Sequence, residues 1–182
     1  LYMSHFSVHD PIHGRLDLVE KYKKKLADSP PQSGPDYILE GNPDSPTYPS
    51  RVELDALLKL PEYADTYKSY GNDIVKVKQK QDNAQFAGMV ESVDQSLGTL
   101  VAKLEELGIE DNTIIFFMSD NGGMSVMNGT PRRIIAQEDL DTATSTSNLP
   151  LRGAKGWLYE GGIRVPLIVK WPHSGKTGTI CD

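Results

Sequence analysis

The chain has 182 residues and a hydrophobic content of 38%, enough for one domain with a core of its own. A net charge of -6 and a sequence pI of about 5.2 argue against a nucleic-acid partner. No apolar run approaches the roughly 18 residues that cross a bilayer, so no membrane partner is expected, and the lone Cys181 leaves no pair for an internal disulfide.

No leader is legible at the start, and residues 2–6 already read as a strand, as if the chain begins in mid-structure. The extended segment ends at His9, because Asp10-Pro11 stops it: the residue before a proline avoids the helical region and Pro11 donates no hydrogen bond. His5 and His13 read as surface histidines, whereas His9 stands at the strand end, where catalytic groups of α/β folds gather. Leu16, Val19, Tyr22 and Leu26 recur at helical spacing and predict a helix over 14–26, with Lys21, Lys23, Lys24 and Lys25 as its solvated face. Residues 29–80 form a Pro-rich excursion. Its prolines between 30 and 49 predict irregular chain, with short helices at 51–60 and 61–70 and an ambiguous stretch at 74–78.

Phe86, Met89, Val90, Val93, Leu97, Leu100, Val101, Leu104 and Leu107 predict one long helix over 84–107, capped by Asp82 with Gln85 closing a capping box, and ended by Gly108. Thr113-Ile114-Ile115-Phe116-Phe117-Met118 reads as a strand buried on both faces. Directly after it come Ser119-Asp120-Asn121-Gly122-Gly123. A carboxylate beside an amide carbonyl offers hard oxygen ligands suited to Ca2+ or Mg2+, and the glycines let the backbone turn and approach a bound group. An Asx-turn closing a strand has the same composition. Met124 to Asn148 reads as a long polar loop of the functional or mobile kind. Val165 to Lys170 is a further apolar strand whose Pro166 belongs at an edge or outside the ladder. Helix, short turn and strand suggest a β-α-β crossover. The expected fold class is therefore α/β: a mostly parallel sheet holding 2–6, 113–118 and 165–170, flanked by helices, with the helix 84–107 packed on it.

Three motifs in order carry a resemblance: Ser7-Val8-His9-Asp10-Pro11; Ser119-Asp120-Asn121-Gly122-Gly123; and Leu151-Arg152-Gly153-Ala154-Lys155-Gly156 with Tyr159-Glu160-Gly161-Gly162-Ile163-Arg164-Val165-Pro166. Together they resemble the sulfatases of the alkaline-phosphatase-like superfamily, and Met89 to Asp94 is similar to the sulfatase helix before the metal strand. On that resemblance, residues 1–182 are a single partial catalytic domain, the later half, without its nucleophile. The family implies cleavage of sulfate esters, of a sulfated carbohydrate in the commonest case. Its nucleophile is a formylglycine hydrate made from a Cys/Ser-x-Pro-x-Arg motif, expected upstream of this chain. Its Ca2+, or Mg2+, is held by two early aspartates and a later Asp-Asn pair, which Asp120 and Asn121 match. His9 and Lys155 match the residues that bind sulfate oxygens and assist the leaving group. Arg152, Glu160 and Arg164 read as scaffolding around the glycine turn.

Thr47-Tyr48-Pro49-Ser50-Arg51 imitates the nucleophile motif with threonine, but in the wrong order along the chain. A phosphodiesterase or phosphonate hydrolase of the same superfamily, or a non-catalytic binding relative, is the alternative reading. The family suggests a periplasmic, secreted or lysosomal setting. The isolated chain is expected to be inactive, to bind metal weakly and to self-associate through the surface meant for its missing half.

Overall fold

The computed structural model describes residues 1–43, 45–61, 74–126, 145–175 and 178–180. In chain order these form α1 (Leu16–Asp28), β1 (Tyr37–Gly41), α2 (Arg51–Leu57), β2 (Ile74–Lys78), α3 (Ala84–Glu106), a 3-10 turn (Glu110–Asn112), β3 (Ile115–Met118), α4 (Glu160–Ile163) and β4 (Leu167–Lys170). Residues 62–70 of the helix expected at 61–70 and the centre of the polar loop, 127–144, lie outside the described residues, as does Cys181.

The most periodic stretch of sequence makes the longest helix, α3. Its N-terminus is capped by Asn83, whose side chain accepts the Phe86 N–H at 3.0 Å. The expected cap, Asp82, is instead drawn to Lys78 at 2.5 Å, and Gln85 accepts the N–H of Gly14 at 2.9 Å rather than closing a capping box. Gly108 takes φ +66 just past the helix, as a C′ glycine does.

Among the described residues the partner of α3 is α1, and not a sheet as expected. Leu18 and Val19 are buried against Gly88, where a Cβ would stand 3.4 Å from Leu18 Cβ, in ordinary van der Waals contact. Fully burying each such aliphatic side chain contributes about 1.5–3 kcal/mol. The seam is laced by Lys21 Nζ to Glu91 at 2.7 Å and by Arg15 Nη1 to Gln95 Oε1 at 2.8 Å. The Lys21 hydrogen bond holds the Glu91 carboxyl below the usual carboxylate range.

The strands depart from expectation in three ways. Residues 1–6 form no strand and are exposed, because a strand exists only through a neighbour and none of the described residues pairs with them. The excursion contains one: Tyr37-Ile38-Leu39-Glu40-Gly41 has no proline, and it pairs antiparallel with β2 in the register Leu39↔Lys76, burying Leu39 completely. Its flanking Pro35 and Pro43 bound the strand rather than forbid it.

Third, no parallel pair occurs among the described residues. β3 and β4 also pair antiparallel, Phe116↔Val169 and Phe117↔Ile168. The order β2-α3-β3 is that of a crossover unit, but its strands lie in different sheets, since β2 takes β1 as its partner. Pro166 stands just outside β4, as its lack of an N–H requires.

Candidate active site

β3 delivers the chain to Ser119, whose Oγ donates to the Asn121 carbonyl at 2.9 Å and turns the backbone. Asp120 is exposed and Asn121 half-buried at the bend. The two glycines that follow are closely packed within the chain. A Cβ on Gly122 would sit 1.8 Å from the Gly161 carbonyl oxygen, and one on Gly123 would sit 2.3 Å from Thr146 Cγ2. Neither glycine has a positive φ. They admit other parts of the same chain.

That neighbouring chain is the loop of Lys155. Gly122 N–H donates to Gly162 O at 2.9 Å, and Lys155 N–H donates to Gly123 O at 3.1 Å. The Lys155 loop is closed on itself by Gly161 N–H to Arg152 O at 2.6 Å, and turns at Gly153 with φ +84, a conformation that favours glycine. Ala154 and Trp157 anchor it in a small core with Val77 and Val126. Val77 also bridges Val126, and Lys78 N–H donates to Ser125 O at 2.7 Å, so the β1–β2 pair underlies both loops. Part of the Pro-rich excursion thus forms the floor beneath these loops.

The charged residues around the glycine turn do scaffold it, but over a longer reach than expected. Glu160 and Arg164 pair locally at 3.9 Å. Arg152 stacks on Tyr159 at 4.2 Å, hydrogen-bonds the Tyr48 hydroxyl and lies 3.7 Å from Glu40. Burial pushes the Tyr48 phenol up, and the Glu40 charge acts in the same direction. The Thr47–Arg51 imitation of a nucleophile motif serves α2 instead. Ser50 caps that helix in a capping box with Glu53, Arg51 pairs with Glu40 and Asp55, and the Thr47 N–H is turned onto Ser45 Oγ at 3.2 Å.

Asp120, Asn121 and Lys155 therefore lie on two loops joined by direct backbone hydrogen bonds. His9 makes only local contacts among the described residues: its Nδ1 is 2.7 Å from Asp10 Oδ1, and its ring lies 5.6 Å from that of Phe6. As a divalent-cation site the chain offers two adjacent hard oxygen donors, Asp120 and Asn121. Among the described residues no cluster of three His, Cys, Asp or Glu could complete a shell. The donors fit part of a Ca2+ coordination sphere, not the 6–8 ligands of a whole one. An open groove of about 470 Å³ between Tyr22, Pro30, Gln81 and Asn83 lies at the α1–α3 end and includes none of these residues.

Asn148 is the residue the sequence did not single out. Its amide nitrogen reaches Gly123 O at 2.8 Å and Gly153 O at 3.1 Å. The Ser145-Thr146-Ser147 run before it is buried, which its polar composition disguised as open loop.

The family model described as Sulfatase matches residues 20–180, a span that holds Asp120, Asn121 and Lys155 and begins after His9. An uncharacterised sulfatase of Schizosaccharomyces pombe is 26% identical over 209 aligned residues, covering 100% of this chain and 36% of that protein. Mouse steryl-sulfatase is 35% identical over 52% of this chain and 14% of its own length. Rat N-acetylgalactosamine-6-sulfatase is 33% identical over 53% of this chain and 16% of its own length. The chain thus spans 36% or less of the length of these relatives. It belongs to the sulfatase family, and with it to the alkaline-phosphatase-like α/β class.

Proposed function

We propose that the chain is part of a metal-dependent sulfatase and supplies the later metal ligands and the sulfate-binding lysine of a sulfate-ester hydrolase. The observation that carries this reading is the direct bond between the two motif loops, Lys155 N–H to Gly123 O at 3.1 Å. It fixes an ammonium-bearing loop beside a carboxylate-amide pair, and cleavage of a sulfate ester needs positive groups near the oxygens where charge develops. Asp120 and Asn121 would hold the cation through their side-chain oxygens; when bound, it offsets negative charge on the sulfate. Lys155 binds a sulfate oxygen and steadies the departing alkoxide or phenoxide, and His9 acts with it as proton donor if the complete protein brings it to the same cleft.

The covalent step is left to a formylglycine outside these residues, since no Cys/Ser-x-Pro-x-Arg occurs among them. The isolated 182-residue chain therefore does not turn over sulfate esters and holds Ca2+ weakly. In the complete protein β3 joins a mostly parallel sheet. On its own, the chain self-associates through the exposed β3–β4 surface.

A sulfated carbohydrate is the substrate class proposed. The name of the rat relative points to a sulfated sugar, and the name of the mouse one to a sulfated sterol. The test is to assay the full-length protein with Ca2+ on an aryl sulfate, a sulfated monosaccharide and a steryl sulfate, beside its Asp120→Ala and Lys155→Ala variants. Turnover by the parent that each substitution lowers by about 100-fold or more supports the reading. Equal turnover by parent and variants, or hydrolysis of phosphate diesters in preference to sulfates, contradicts it.

A further inference from the structure

We infer that Asn148 is the positioning residue that sets the Asp120–Asn121 loop against the Lys155 loop; its catalytic consequence rests on the sulfatase reading above. Two backbone carbonyls, Gly123 O and Gly153 O, converge on one point between the loops. The Asn148 amide nitrogen fills it, at 2.8 Å from the first and 3.1 Å from the second. Two acceptors that face each other need a group with two protons between them, and a side-chain amide is a neutral one. Ser125 Oγ lies 3.3 Å from the same nitrogen and turns its own proton toward Gly153 O at 3.4 Å.

Gly123 O also accepts the Lys155 N–H, so one oxygen joins the turn after Asn121, the Asn148 amide and the catalytic lysine's backbone. Asn148 is itself firmly seated. Its carbonyl accepts the Leu151 N–H at 2.9 Å, and just before it Ser147 O accepts from Gln81 at 2.6 Å while Thr146 Oγ1 donates to Gln81 Oε1 at 2.7 Å. Gln81 leads into α3, so the platform connects to the most regular element of the chain. The close approach is also crowded: a Cβ on Gly123 would lie 2.8 Å from Asn148 Oδ1. A shift of this amide therefore moves both loops.

The test compares Asn148→Ala and Asn148→Asp with the parent in the full-length protein. Residue-resolved amide exchange, corrected for intrinsic rates, is read at Gly122 and Lys155, whose N–H groups cross between the loops, and at Met89 in α3 as reference. Removing both donated bonds lowers protection at Gly122 and Lys155 by on the order of tenfold or more, with Met89 unchanged. The Asp variant shows the same loss at neutral pH, where a carboxylate faces two carbonyls. It recovers part of the protection as pH falls and the protonated acid donates one bond, whereas the Ala variant does not. With an aryl sulfate, kcat falls about 100-fold in the Ala variant and KM changes less, as expected when a reacting group is displaced. Unchanged protection, equal loss at Met89, absence of the low-pH recovery, or an unaffected kcat each overturns the proposal. If the parent itself lacks sulfatase activity, that reading fails while the exchange data still decide whether Asn148 sets the loops.

Discussion

Gly122 has less room than a methyl group needs before it meets the Gly161 carbonyl, whereas Phe116, on the strand just before it, is 67% exposed. The contrast runs through the molecule. The loops after β3 interlock through Gly122–Gly162 and Gly123–Lys155 contacts, with Arg152–Gly161 closing the second loop, over a floor made by β1 and β2. The β3–β4 ribbon that leads in and out of them leaves Met118, Leu167 and Ile168 each about 60% exposed. The site loops owe their arrangement to partners within this chain, and the ribbon lacks such partners among the described residues. An isolated two-stranded ribbon is only marginally stable, so the ribbon is the less self-sufficient of the two regions.

The comparison can be broken most severely at its core. Trp157→Ala removes the largest side chain under the Lys155 loop and costs about 3–5 kcal/mol, read by urea unfolding followed by circular dichroism. Gly122→Ala forces the two loops apart and costs about 3 kcal/mol, a large loss for one added methyl group. A cost below 1 kcal/mol would mean that the loops are not interlocked. Asn83→Ala removes the cap of α3 and costs about 1 kcal/mol without disturbing the loops.

At the ribbon the expected effect depends on context. Phe116→Ser changes the stability of the 182-residue chain by no more than about 0.5 kcal/mol, and weakens its self-association in sedimentation. In the full-length protein, where we propose that the strand joins a larger sheet, the same substitution costs on the order of 3 kcal/mol.

The smallest effect is electrostatic and concerns the α1–α3 seam. Glu91 has a lowered folded pKa through Lys21. Its stabilisation is present above the usual carboxylate pKa of about 4.3 and fades as pH falls through the lower folded value. Lys21 is raised in turn by Glu91, so its share is present at neutral pH and fades as pH rises through its raised value. Glu91→Gln should flatten the acid arm of the Tm profile relative to the parent, and the difference should shrink in high salt.

How much of this was legible in the sequence follows from the range of the interactions. Helix α3 was visible because its period, its C′ glycine and its length all lie within one window. Its cap was misplaced by one residue, since Asp82 is claimed by Lys78 on β2. β1 was hidden inside a Pro-rich stretch because its five residues are too few to alter the composition around them. Asp120, Asn121 and Lys155 could be nominated because their motifs are contiguous, and their loops prove to be neighbours. Asn148 could not, because its role exists only where carbonyls 123 and 153 meet. Gly122 and Gly123 stood out as turn glycines, but their contacts with Gly161 and Thr146 were not legible, because those partners are distant in sequence.

The most direct test of the interlocked loops is amide exchange across the unaltered 182-residue chain. The amides of Gly122, Lys155 and Gly161, which bind Gly162 O, Gly123 O and Arg152 O, should open together, with a free energy above that of the β3 amides at Phe116 and Met118. Loop amides that exchange faster than those of β3, or independently of one another, would contradict the account.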